Sequence, residues 1–255
     1  MNLPQELASR RLQGTPGDEL PISQRPTNFE QAFSLQQQVS DSYCDLAATR
    51  VNGWKCVLPT TTVTMLAPLF ENGMQTQTKN CVLFTSKENM ALVEPEIASV
   101  FNSDLPVRDQ PYTDQEIENA IGSTHFALEL MQSRYHEPDK VTYFEALADG
   151  LLNQGVYIGP EIPKTIPFED MAEFELNIAS EKEVHLNRAV THPNNHPRVA
   201  VYWLVNELRE RGIAIKAGDK VITGSYAGIV NVPFDQPVTF KYGELGAFSV
   251  TFKAK

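Results

Sequence analysis

Near the end of the chain, Phe248, Val250 and Phe252 alternate with Ser249, Thr251 and Lys253. Side chains of an extended segment leave opposite faces in turn, so this run has one apolar and one wet face. A strand of that kind is stable only inside a sheet whose apolar side is covered. Further extended runs at 221–223, 229–232 and 237–241 call for a β-rich core in the last third. Ahead of them, Pro197 opens a helix at its tolerated first position. Val201, Leu204, Val205 and Leu208 line one side of it, and Gly212 stops it.

The first fifty residues predict helices. One covers 6–12 and is stopped by Gly14 and Pro16. A second is capped by Thr27 or Asn28 and carries Phe29, Phe33, Val39, Tyr43 and Leu46 on one face. It is expected to end near Asn52-Gly53, a dipeptide that favours left-handed backbone. In the middle, 80–85 and 90–101 have strand composition, with Pro95 interrupting the second. Thr113 caps a helix over 114–121, and 126–133 reads equally as buried strand or helix. Residues 149–159 are a turn followed by a strand around GVYIG. With no internal repeat and no linker, the expectation is one α+β domain: a helical segment over 1–53 packed on a β-rich core over 54–255.

Composition narrows the function. The 255 residues carry 21 Lys+Arg against 32 Asp+Glu, a formal charge of −11. That balance argues against nucleic acid as the main partner, since phosphate neutralisation needs clustered cations. Three cysteines without CxxC or CxH spacing suggest neither a disulfide framework nor a zinc site, and point to the cytoplasm. No apolar run follows the N-terminal Arg pair as a secretory leader requires. The longest uncharged run, 56–70, holds four Thr and two Pro and is too short to span a bilayer. A soluble protein without membrane contact is expected.

Val93-Glu94-Pro95-Glu96-Ile97 places two acids one residue apart between apolar flanks. If the segment is extended, both carboxylates leave the same face. They cannot both stay ionised cheaply without a cation between them, and hard oxygen ligands suit Mg2+ or Mn2+. The same stretch also reads as an exposed acidic turn around a proline. Glu129, inside HFALELM, is a third acid in an apolar setting where an unpaired carboxylate is expensive to bury. A glutamate on the wet side of a helix fits it equally. Lys55, in GWKCVL, is either a snorkelling surface lysine or an ammonium held in a pocket where its proton is useful.

In order, GWKCVLPT, VEPEIASVF, HFALELMQSRY, ALADGLLNQGVYIG and HPRVAVYWLVNELRERGIAIKAGDKVITGS resemble the 2-keto-4-pentenoate hydratase and 4-oxalocrotonate decarboxylase group. That group lies within the fumarylacetoacetate hydrolase superfamily, and the resemblance runs from about Glu19 to the C-terminus. It implies a mixed β-sheet roll or sandwich core, of the fumarylacetoacetate hydrolase C-terminal type, with an N-terminal helical segment. It also implies an Mg2+ or Mn2+ site on an ExE pair and a later Glu, which fall on Glu94, Glu96 and Glu129. The family's lysine falls on Lys55, and its pocket-lining segment near the C-terminal strands falls on Thr223, Gly224 and Ser225.

Some of the family pattern is altered. The GLTS after the lysine is here Val57-Leu58-Pro59-Thr60, and Pro59 removes a backbone donor. The family's aspartate in a PDxG-like loop has no counterpart; the nearest acid, Glu71, either substitutes for it or the role is vacant. The Asp-Asn of the family's ADN is Asp149-Gly150. The resemblance implies a hydratase of small 2-hydroxy-dienoic or 2-oxo-enoic acids, with chelation of the substrate's carboxylate and C2 oxygen and water added at C4. A decarboxylase of a 2-oxo-dienedioate is the alternative, and a relative that binds metal or oxo acid without turnover is a third. The resemblance also implies a homo-oligomer.

Overall fold

The computed structural model describes residues 2–255. Helix α1 (Leu3–Gln13) begins with an Asn2–Gln5 capping box and ends at Gly14. Helix α2 (Phe29–Ala47) is capped by the Asn28 side chain and ends with Ala48 in left-handed backbone. That end comes earlier than the sequence suggests, because Asn52-Gly53 belongs to strand β1 (Val51–Val57). Gly53 has φ +151, and a Cβ there would lie 2.1 Å from the Lys220 carbonyl oxygen. Close approach to a neighbouring strand, not a helix stop, is what requires this glycine.

Next come β2 (Met65–Phe70), β3 (Met74–Thr76), β4 (Asn80–Leu83), β5 (Ala91–Phe101), α3 (Asp114–Ala120), β6 (Ile121–Met131), α4 (Tyr143–Ala148) and β7 (Asn153–Ile162). The chain finishes with β8 (Glu173–Ser180), β9 (Val184–Thr191), α5 (Pro197–Glu210), β10 (Lys220–Ile222), β11 (Val230–Val232), β12 (Pro237–Tyr242) and β13 (Gly246–Ala254). One sheet runs β2-β1-β10-β5-β6-β7-β3, with β11 also on β5; a second runs β4-β13-β12-β8-β9. β1 is parallel to β10 and β3 to β7, so the large sheet is mixed. Its strands β2 and β7 come into contact although four strands separate them in the order, which rolls the sheet on itself. The result is an α+β domain with a mixed-sheet roll packed on a second sheet. No helix among the described residues is long and apolar enough to cross a membrane.

Parity sorts the side chains. Val93 and Ile97 of β5 and Phe126, Leu128 and Leu130 of β6 face the second sheet, where they meet Ile178, Phe240, Tyr242 and Phe248. α5 lays Ala200, Val201, Leu204 and Leu208 against Trp54, Cys56 and Phe101. The intervening residues line the inside of the roll, where Leu69, Ala98, Ala127, Val156, Ile158 and Ile222 pack together. Residues 126–131 are therefore strand: each second side chain serves a different layer. β5 also runs through Pro95 unbroken. β10 pairs with it at Ala98–Val100 and β11 at Ala91–Val93, so Pro95 lies in the gap between them. An antiparallel residue aims its nitrogen and carbonyl to the same side. The Pro95 carbonyl accepts from the Tyr226 amide at 3.0 Å across that gap, so no ladder donor is lost.

Candidate metal centre

Glu94 and Glu96 leave β5 toward the inside of the roll, and Glu129 of β6 stands directly opposite Glu94 in the ladder. One carboxylate oxygen from each of the three lies within 4.8 Å of the others. Glu96 is 2% exposed and Glu129 0%, while Glu94 is half-buried. The acidic-turn and helix-surface alternatives are excluded by this placement.

Lys55 reaches the same space from β1 and is 7% exposed, so it is not a snorkelling side chain. Its Nζ donates to Glu129 Oε1 at 2.6 Å and to the Leu151 carbonyl at 3.1 Å. Asn153 Nδ2 donates to the same Oε1 at 2.9 Å. Glu129 Oε2, buried, has no hydrogen-bond partner. Glu96 Oε2 accepts from the Gly224 amide at 2.7 Å.

Burial, then the Glu129 charge, lifts the Glu94 carboxyl to about 7, although Lys55 opposes the shift. Glu96 is pushed well above the usual carboxylate range by burial first and then by Glu129 and Glu94. Three buried carboxyl groups against one ammonium cannot all ionise cheaply, and a divalent cation would offset the charge of their ionised forms. All three donors are hard oxygens, and the bare Oε2 is a buried acceptor needing a partner. The residues fit Mg2+ or Mn2+.

The loop after β10 borders the cluster through its backbone. Gly224 has φ +113, and a Cβ there would meet Pro193 and Val57 side-chain carbons at 2.8 Å. Ser225 Oγ is used within the loop, accepting from the Ala227 amide and donating to the Gly228 carbonyl, each at 3.2 Å. Thr223 Oγ1 lies 3.3 Å from His192 Nε2. Because His192 Nδ1 accepts from the Asn194 amide at 3.1 Å, Nε2 carries the ring proton and donates to Thr223. Burial, then His196, holds His192 down at about 4, so the ring is neutral.

Glu71 is not brought in, contrary to its expected part beside Lys55. Lys55 pairs with Ala67 in the β1–β2 ladder, and Glu71 lies four residues further on, about 13 Å along the strand. Its carboxylate pairs with the exposed Arg50 at 2.7 Å. Lys55 instead has Glu129 as its carboxylate partner. Sequence reasoning did not single out Asn153, the Leu151 carbonyl or His192. Leu151 lies within, and Asn153 directly follows, a run of left-handed backbone, Gly150 (φ +82), Leu151 (+53) and Leu152 (+65), which no local pattern announces.

No family model matches the chain. Over 167 residues it is 27% identical to a 2-oxo-hept-4-ene-1,7-dioate hydratase of Escherichia coli, spanning 63% of this chain and 61% of that protein. It is 26% identical over 163 residues to a 2-keto-4-pentenoate hydratase of Paraburkholderia phymatum, covering 63% and 60%. The chain thus spans less than two thirds of the length of these curated relatives. Among solved structures, the 4-oxalocrotonate decarboxylase of Pseudomonas putida G7, complexed with magnesium and adipate, superposes with a TM-score of 0.78 at 20% identity, over 98% of this chain and 96% of that one. The 2-hydroxyhepta-2,4-diene-1,7-dioate isomerase of Mycobacterium marinum gives 0.55 at 14% identity, over 81% and 77%. This chain shares their fold and is similar in sequence to the two hydratases.

Proposed function

We propose that this chain is a divalent-metal-dependent hydratase that converts a small 2-hydroxy-dienoic or 2-oxo-enoic acid to a 4-hydroxy-2-oxo acid. The observation that carries the reading is Glu129: Oε1 is taken by Lys55 and Asn153, Oε2 is buried and bare, and the carboxylate stands within 4.8 Å of those of Glu94 and Glu96. Glu94, Glu96 and Glu129 would hold Mg2+ or Mn2+. When bound, the ion supplies Lewis-acid stabilisation of the negative charge that develops on the substrate's C2 oxygen.

The chain's own residues do the remaining work. Lys55 is clamped between Glu129 and the Leu151 carbonyl, and its Nζ moves the proton as the dienol passes to the 2-oxo form. With Glu71 outside the cluster, Lys55 takes this role without that acid. The loop of Thr223, Gly224 and Ser225 borders the bound acid, and Gly224 steadies Glu96. The likeness to two hydratases supports addition of water. This reading also places the protein in the cytoplasm, in keeping with three unpaired thiols, and as a homo-oligomer.

The test follows loss of dienoate absorbance with and without Mg2+ or Mn2+. Absence of metal-dependent turnover on any dienoate, with saturable metal binding retained, would replace this reading by that of a binding protein without activity. A decarboxylase is the second reading, favoured by the nearly full-length fold match to 4-oxalocrotonate decarboxylase. Release of carbon dioxide from oxalocrotonate without prior hydration would select it.

A further inference from the structure

Helix α1 sends one charged side chain, Arg11, deep into the domain, where it is 6% exposed. The guanidinium sits 4.7 Å from the Phe70 ring centre and 5.4 Å from that of Tyr43. Nη2 donates to Asn153 Oδ1 at 2.8 Å. A guanidinium only donates, so the Asn153 carbonyl oxygen must face it and the amide nitrogen must point away. That nitrogen donates to Glu129 Oε1 at 2.9 Å and to the Gly155 carbonyl at 3.1 Å. Arg11 therefore holds the amide by its oxygen end, while the Gly155 carbonyl and Glu129 hold its nitrogen. The backbone of Asn153 is held independently, by Arg134 Nη1 donating to its carbonyl at 2.7 Å.

We propose that Arg11 and Asn153 are positioning residues for the metal centre. Together they pin Glu129 Oε1 and leave Oε2 without a protein donor in the cluster with Glu94 and Glu96, so the docking of α1 sets how tightly the centre holds a cation. This rests on the metal reading above. Without Arg11 the Asn153 Oδ1 loses its donor, and only the acceptors on its nitrogen, the Gly155 carbonyl and Glu129, still hold the amide. Lys55 is then the one firmly placed donor on Glu129 Oε1. Hydrogen-bonded partners one step beyond a ligand change metal affinity about 10- to 100-fold when removed.

The test is Mn2+ binding to the full chain, read from the loss of the free-ion paramagnetic resonance signal at a temperature where each variant is folded. Asn153→Ala should bind Mn2+ about 10- to 100-fold more weakly. Arg11→Met, which keeps apolar contact with Phe70, should weaken binding about tenfold. If Arg11 acts through Asn153, the double variant binds no more weakly than Asn153→Ala alone. A purely structural Arg11 would lower the melting temperature without moving affinity, or give losses that multiply in the double variant; either result overturns the proposal. Arg11→Lys, still a donor-only cation, should bind more tightly than Arg11→Met, a comparison that serves even where Asn153→Ala does not fold. Wild-type protein that binds no Mn2+ refutes the metal reading and this inference together. Wild-type affinity in Arg11→Met, with binding abolished in Glu96→Gln, refutes this inference alone.

Discussion

Glu94 and Glu129 occupy one rung of the β5–β6 ladder, carboxylate beside carboxylate, with the Lys55 ammonium 2.6 Å from the second. Like charges directly opposite in a sheet oppose folding. A fold that keeps them buried on one rung, and adds Glu96 two residues along, concentrates negative charge where a cation is useful.

Glu96→Gln tests the three-carboxylate centre. The glutamine side chain matches the size of the protonated carboxyl, the form that burial and its neighbours favour in the free protein. Its oxygen can still accept from the Gly224 amide, so the melting temperature without metal should stay the same or rise. Metal at a hundredfold over its dissociation constant should stabilise the wild type by about 2.7 kcal/mol. The variant should lose most of that shift and all metal-dependent turnover. A metal-induced melting shift of wild-type size in Glu96→Gln would rule the centre out.

Lys55→Met removes the only cation hydrogen-bonded to the cluster among the described residues. Turnover should fall about 10²- to 10⁴-fold, as for loss of a proton-transfer group. Breaking a buried ion pair leaves an uncompensated charge, a cost of about 3–5 kcal/mol. Added Mn2+ should recover part of that stability while leaving activity low. Equal loss of melting temperature with and without Mn2+ would mean that the ion does not neutralise Glu129.

Glu71→Gln separates the exposed acid from the buried set. Its partner Arg50 is exposed, and surface pairs of this kind contribute about 0–1 kcal/mol. Steady-state rates on a dienoate and the melting temperature should both match wild type. A large fall in kcat would bring Glu71 back to the reaction.

What was legible in the sequence follows from periodicity and from short-range chemistry. The Asn28 and Thr113 caps, the Pro197 start of α5 and the alternation in β13 each act within a few residues, and each element is where they put it. The acids of VEPEI could be placed on one face by strand parity alone, but the register of Glu94 against Glu129 depends on pairing between strands distant in sequence. Three things needed tertiary structure. Gly53 looked like a helix stop and answers to the Lys220 carbonyl of a strand far along the chain. Pro95 looked like an interruption and falls in a gap between two partner strands. Asn153 has no apolar rhythm or motif around it, and its meaning comes from Arg11 and Glu129 approaching from elsewhere. The β8–β9 hairpin has little sequence signature because β9 is an edge strand and largely exposed, which weakens its apolar alternation.

His192 makes the acid limb of stability a prediction with a fixed sign. The ring is buried beneath the loop of Thr223, and its pKa is held down at about 4, against 6.5 in the unfolded chain. Between those values the unfolded state binds more protons than the folded one, so stability rises with pH and is lost as pH falls from about 6.5 toward 4. The full contribution is about 3 kcal/mol, gone once the folded ring itself protonates. His192→Gln keeps a donor that can reach Thr223 but cannot titrate. Urea unfolding of the two proteins between pH 7 and pH 4 should therefore show a steeper fall for the wild type. Parallel curves across that window would mean that the folded ring takes up its proton as readily as the unfolded one, so that burial does not hold its pKa down.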